Sequence, residues 1–417
     1  MTDQADRPFR VVGLVMSALL LLAGCGGKEI VPPTPPGDVS DARAAGGTAV
    51  VQRLAAGLKD HDRDAVLAVA APDAGSRAAV TALYDNAQTL GLTDIALRYV
   101  ILTVSTPPTR VAERYGTRAW AATVEVTWTL PTYDAGPVSV SSAFVFETTG
   151  TTTRLAAVGG GSERSALWLT GPLQVDKTAD TLVMVAGTGD AATYAPLARK
   201  AVSDVHRVLG WDGPLVVEVP TSEEDLERLL GVDKGSYAAI AAVTTSVDGS
   251  SDAGSPVHVF INPAVFTGLG ARGSQVVLSH EATHVATKAT FAAMPTWLLE
   301  GFADFVALAH AGIPVSTAAA QIIAEVRSEG APDHLPTTDD LAPQAESLGA
   351  TYEEAWTVCR FMGQQYGEAK VVAFYDAVDH GATTQQAFGS VLGTTQAAFV
   401  KAWSADLVQL AGGAGGA

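Results

Sequence analysis

The chain has 417 residues, a formal charge of −18 at pH 7 and 47% hydrophobic residues, and it contains two cysteines, Cys25 and Cys359. That length and apolar content suffice for two domains with sizeable cores. The acidic balance argues against binding nucleic acid, or anionic lipid through the protein's own surface.

Arg7 and Arg10 precede an apolar run at 11–22 that is short for a bilayer crossing. The run ends Leu22-Ala23-Gly24-Cys25, which resembles the bacterial lipobox. The resemblance implies a signal peptide at 1–25, acylation of Cys25 with more than one chain, palmitate among them, and anchorage on the extracytoplasmic side of the cell membrane. An ordinary secretory signal is the alternative, and either way the protein is exported. With Cys25 acylated, Cys359 is the only thiol left, and its apolar helical surroundings suit a small buried hydrophobe. Residues 26–47 contain Pro32-Pro33, Pro35-Pro36 and several glycines with almost no apolar periodicity, so they are expected to form a flexible linker.

From residue 48 the pattern turns helical. Val51, Leu54, Ala55 and Leu58 share a face, and 78–90 repeats the pattern. Alternation then predicts strands at 95–104, 119–130, 138–147 and 152–158, with a turn-rich piece at 131–136. Helices followed by an antiparallel meander make an α+β accessory domain over 48–170. Its element order is similar to that of NTF2-like domains of secreted lipoproteins, whose cone would bind a ligand or serve as a spacer.

Thr170-Gly171-Pro172 breaks the pattern, placing a boundary within 168–179 and a second domain at 171–411. There, strands are expected at 181–186, 214–219, 238–245 and 257–262, with helices at 194–209 and 223–230. A polar run at 248–254 separates the last two strands. Helical runs return at 318–328, at 352–366 and at 399–410, and 412–417 reads as a disordered tail.

Between these segments lies Ser279-His280-Glu281-Ala282-Thr283-His284, followed by Trp297-Leu298-Leu299-Glu300-Gly301-Phe302-Ala303-Asp304. Residues four apart on a helix stand about 6 Å apart along one face, so His280 and His284 can share a metal ion. Pro295 suits a helix start, and Trp297, Leu298, Phe302, Phe305 and Val306 supply an apolar face. Glu300 and Asp304 then share the other side. Fifteen residues separate His284 from Glu300, room for one reversal between antiparallel helices. Two imidazoles and one carboxylate are an established zinc set, with Glu300 as the third ligand. Gly301, poor in a helix, fits a close approach of this backbone to the first helix.

These two segments resemble the gluzincin metallopeptidases, the thermolysin-like group, and especially a bacterial branch with a Trp-Leu-x-Glu-Gly-x-Ala second helix. The resemblance implies a sheet lobe followed by a helical lobe, Zn2+ held by His280, His284 and Glu300, Glu281 as general base, and Asp304 orienting His280. It also implies that an edge strand, 257–262 or 238–245, hydrogen-bonds an extended peptide substrate. Tyr352 corresponds to family tyrosines that stabilise the oxyanion, although a core tyrosine starting a helix fits equally; His334 is the other contender. No Gly-x-Met-Glu-Asn segment of the aminopeptidase kind is present, which favours endopeptidase action. The rival expectation is a noncatalytic envelope lipoprotein that binds a ligand or partner, its zinc structural or vestigial.

Overall fold

In the computed structural model of the protein, residues 39–103, 107–159, 163–342, 345 and 347–413 are described. Cys25, the signal segment 1–25, the linker up to residue 38 and the tail 414–417 lie outside them. The described chain is α+β.

The first sheet is an antiparallel meander of β1 (Thr93–Thr103), β2 (Ala119–Thr129), β3 (Val138–Thr149) and β4 (Thr152–Val158). Every expected strand of this part forms, because alternation puts one face against the helices Val39–Lys59 and Ala74–Leu90. Asp73 starts the second of these helices by accepting from the Ser76 amide, and Gly91, at φ 69°, ends it.

The expected linker 26–47 is too long at its C-terminal end. The helix begins at Val39, and Gly46 and Gly47 lie inside it. Both glycines press on the sheet: a Cβ on Gly46 would stand 2.3 Å from Thr153 Oγ1, and one on Gly47 2.8 Å from the Trp120 and Tyr99 rings. They are helix residues chosen for closeness to the sheet, which local composition reads as linker. The expected tail starts too early at 412, since the last helix, Gln396–Gly413, runs past that point.

The second sheet has the order β5-β6-β7-β9-β8, with β5 at Leu173–Lys177, β6 at Thr181–Ala186, β7 at Leu215–Val219, β8 at Ala242–Ser246 and β9 at Val257–Ile261. β5 falls where only a boundary is expected; it pairs antiparallel with β6. The helix Thr109–Tyr115 is likewise unheralded. β6 and β7 are buried on both faces and parallel. Val183, Val185, Val217 and Val219 face the core shared with the C-terminal helices, while Leu182, Met184 and Val216 face the core shared with the first sheet. No helix among the described residues is long and apolar enough to cross a membrane.

Candidate metal centre

β9 ends at Ile261, and Asn262 caps the short turn of helix that follows by accepting from the Ala264 amide. The chain then enters the helix Gly270–Thr287, which buries Leu278 and Ala282 in the core. Ser279 donates through its hydroxyl to Asp204, itself held by Lys200, so the helix Ala191–Leu209 braces the residue before His280. Lys288, at φ 52°, terminates the helix, and the next one, Thr296–Leu308, starts after Pro295. Trp297, Leu298, Phe302 and Val306 anchor that second helix in the same core.

Gly301 does allow a close approach, but to a different partner from the one its sequence context implies. A Cβ there would stand 2.3 Å from the carbonyl oxygen of Ala355, on the helix Leu348–Tyr366. The glycine therefore seats a third helix, the one carrying Tyr352, against the Glu300 helix.

The three expected ligands converge. His280 Nε2 and His284 Nε2 stand 3.0 Å apart, and Glu300 Oε2 lies 3.2 Å from the first and 3.5 Å from the second. Ligands about 2.0–2.2 Å from a common tetrahedral centre are separated by about 3.3 Å, so the donor set fits zinc in type and spacing. Among the described residues this group of three has no fourth His, Cys, Asp or Glu in ligand range, which is the count of an open catalytic site.

Asp304 stands behind His280, its Oδ1 2.7 Å from Nδ1. That bond assigns the proton to Nδ1 and leaves Nε2, the atom facing His284 and Glu300, as the ligand. Burial by itself would lower the His280 pKa, but Asp304 and Glu300 raise it well above its ordinary value. Burial would raise the Glu300 pKa, yet bonds from His280 and His284 hold it well below the carboxylate range. The cluster is thus arranged around positive charge.

Glu281 is buried beside this group, and its Oε2 accepts a 2.6 Å hydrogen bond from the Thr244 hydroxyl on β8. Of the two strands expected to line the cleft, β8 is the sheet edge and β9 is interior. The edge strand is shorter than expected: residues 238–241 turn, with Ile240 N donating to Tyr237 O, before pairing starts at Ala242. Sequence reading missed Thr244, because a single threonine on a strand carries no spacing signal.

Tyr352 is half-buried, and burial together with the charges of Glu300, Asp304 and Glu281 pushes its phenol pKa up, keeping it a donor at neutral pH. The structure therefore brings it to the acidic side of the centre. His334 is not brought there: its ring is two-thirds exposed and pairs with Asp333. Cys359 is fully buried and free, and burial raises its thiol pKa.

Compared with known proteins, the chain matches no family model and no curated protein sequence. The geometry of the centre and the sequence motif that forms it therefore carry the functional reading.

Proposed function

We propose that this chain is an exported zinc metallopeptidase of the gluzincin type, anchored through acylated Cys25 on the extracytoplasmic side of the membrane, with an NTF2-like accessory part. The observation that carries the reading is the meeting of His280, His284 and Glu300 from two helices, with Asp304 behind and Glu281 beside them. A zinc ion bound there supplies a Lewis acid and makes water acidic enough to ionise near neutral pH.

The chain's own residues do the rest. Glu281 takes a proton from the attacking water and returns it to the leaving amine, acting as general base and then general acid. Thr244 holds one oxygen of that carboxylate, and the other oxygen takes the proton. Tyr352, a protonated phenol, donates to the oxygen on which charge develops. β8, the sheet edge next to Glu281, offers backbone donors and acceptors to an extended peptide.

Two measurements on the purified protein test the reading. Metal analysis should find about one zinc per wild-type chain and little in His284→Ala, since removing one of three ligands destroys the site. Hydrolysis of a peptide library should fall by at least about a hundredfold in Glu281→Gln while its zinc is retained. A Glu281→Gln protein with full zinc and full activity would refute the mechanism; absence of cleavage by the wild type across broad libraries would favour the noncatalytic lipoprotein.

A further inference from the structure

The strands β6 and β7 are parallel neighbours, yet the helices that follow them lie on opposite faces of the sheet. β6 leads to the helix Ala191–Leu209, which packs in the core of the metal-centre helices. β7 leads to the helix Glu223–Leu230, whose Leu226, Leu229 and Leu230 pack in the core of the first sheet. Where chains leave adjacent strand ends in opposite directions, a crevice opens at the carboxyl edge of the sheet, and open α/β sheets take their ligands there.

A cavity of about 430 Å³ occupies this crevice. Gly187 follows β6, Thr221 follows β7, Arg228 and Leu229 belong to the next helix, and Gly159 and Ser165 close it from the connection between the two sheets. Its volume lies within the range of small-molecule sites.

Three observations describe its chemistry. Ser165 is only 4% exposed, lines the cavity and has no hydrogen-bond partner for its Oγ among the described residues. A buried hydroxyl without a partner is costly, and a ligand's polar atom would remove that cost. Two walls are bare backbone: Gly159 (φ 85°) and Gly187 (φ 71°) take conformations other residues avoid, and a Cβ on them would stand 3.3 Å from Ser165 Oγ and 3.0 Å from Thr221 Cγ2. The charged groups at the rim are already partnered, because Arg228 bonds Glu224 (3.3 Å) and Asp225, and Thr221 donates to Asp225. Among the described lining residues no unpaired charge is left to select an ion, while Leu167 and Leu229 offer apolar surface.

We propose that this cavity is a binding site for a small uncharged molecule with an apolar body and an amide or hydroxyl group that pairs with Ser165 Oγ. The site is separate from the metal centre, and its test needs no peptidase activity.

The test is a titration of the purified full chain with N-acetyl-leucinamide, followed by NMR shifts or calorimetry. Saturable binding at about millimolar strength is expected for so small a ligand. Ser165→Ala should weaken it by about fivefold, the loss of one neutral hydrogen bond. Thr221→Phe, which places a ring in the cavity from an exposed position, should abolish it, with unchanged circular dichroism showing that both variants fold. The charged relatives leucinamide and N-acetyl-leucinate should bind about tenfold more weakly, since neither charge finds a counter-ion. Absence of saturable binding, equal affinity in Thr221→Phe, or equal affinity for the charged relatives would overturn the proposal.

Discussion

His280 stands between two carboxylates with different tasks: Glu300 shares its Nε2 side, and Asp304 accepts from Nδ1. Asp304→Asn keeps the size of the side chain but removes the charge that fixes the ring and raises its basicity. Zinc affinity, measured by competition with a chromophoric chelator, should fall about 10- to 100-fold, with circular dichroism unchanged. An unaltered affinity would mean that packing alone orients the ring. The four residues of this cluster were legible in the sequence because helical spacing places them: His280 with His284, and Glu300 with Asp304, each four apart. Thr244 was not, since its bond to Glu281 joins positions 37 apart on different elements, and nothing local announces that contact.

Glycines mark where the elements press together, and they are the places where element boundaries were misread. Gly46 and Gly47 look like linker residues, but the helix Val39–Lys59 needs them to reach Thr153, Trp120 and Tyr99. Gly301 reads in the sequence as a contact to the helix Gly270–Thr287, and its neighbour is the Ala355 carbonyl. A backbone oxygen 2.3 Å from the would-be Cβ has nowhere to move without shifting a helix. Gly301→Ala should therefore destabilise the protein by about 3 kcal/mol or more in urea unfolding, despite the better helix propensity of alanine. A neutral or stabilising result would show that the helices Thr296–Leu308 and Leu348–Tyr366 can separate freely. The strands fared better, because alternation in β2 and at the start of β3 reports burial directly; β5 was missed because the Thr170-Gly171-Pro172 break masks the short strand that follows it.

Across the whole molecule, the two sheets are joined by a buried ion cluster that no motif foretold. His258 on β9 pairs through Nδ1 with Glu218 on β7 (2.7 Å) and through Nε2 with Asp134 in the connection between β2 and β3 (2.9 Å). All three side chains are almost fully buried. Burial alone would lower the His258 pKa, but Asp134 and Glu218 raise it from 6.5 to about 10. A pKa raised by folding stabilises fully below the unfolded value and loses its effect as pH climbs to the folded value. The contribution of His258 should thus be complete below about pH 6.5, decline by up to about 1.4 kcal/mol per pH unit, and be spent near pH 10. Urea unfolding of wild type and His258→Gln between pH 6 and 10 checks this: the gap between them should narrow as pH rises. A constant gap would remove the imidazolium from the account.

The sequence by itself determined the pairing of His280 with His284 and of Glu300 with Asp304, the order of helices and meander, and most of the second sheet, because these rest on periodicities of 2 and 3.6 residues that a local window contains. Only the tertiary structure decided that β8 is the edge strand, that Thr244 holds Glu281, that Gly301 meets Ala355, and that His258 ties the two sheets together. Those are contacts between distant stretches of chain, and they depend on the register and facing of elements after packing, which local spacing does not encode.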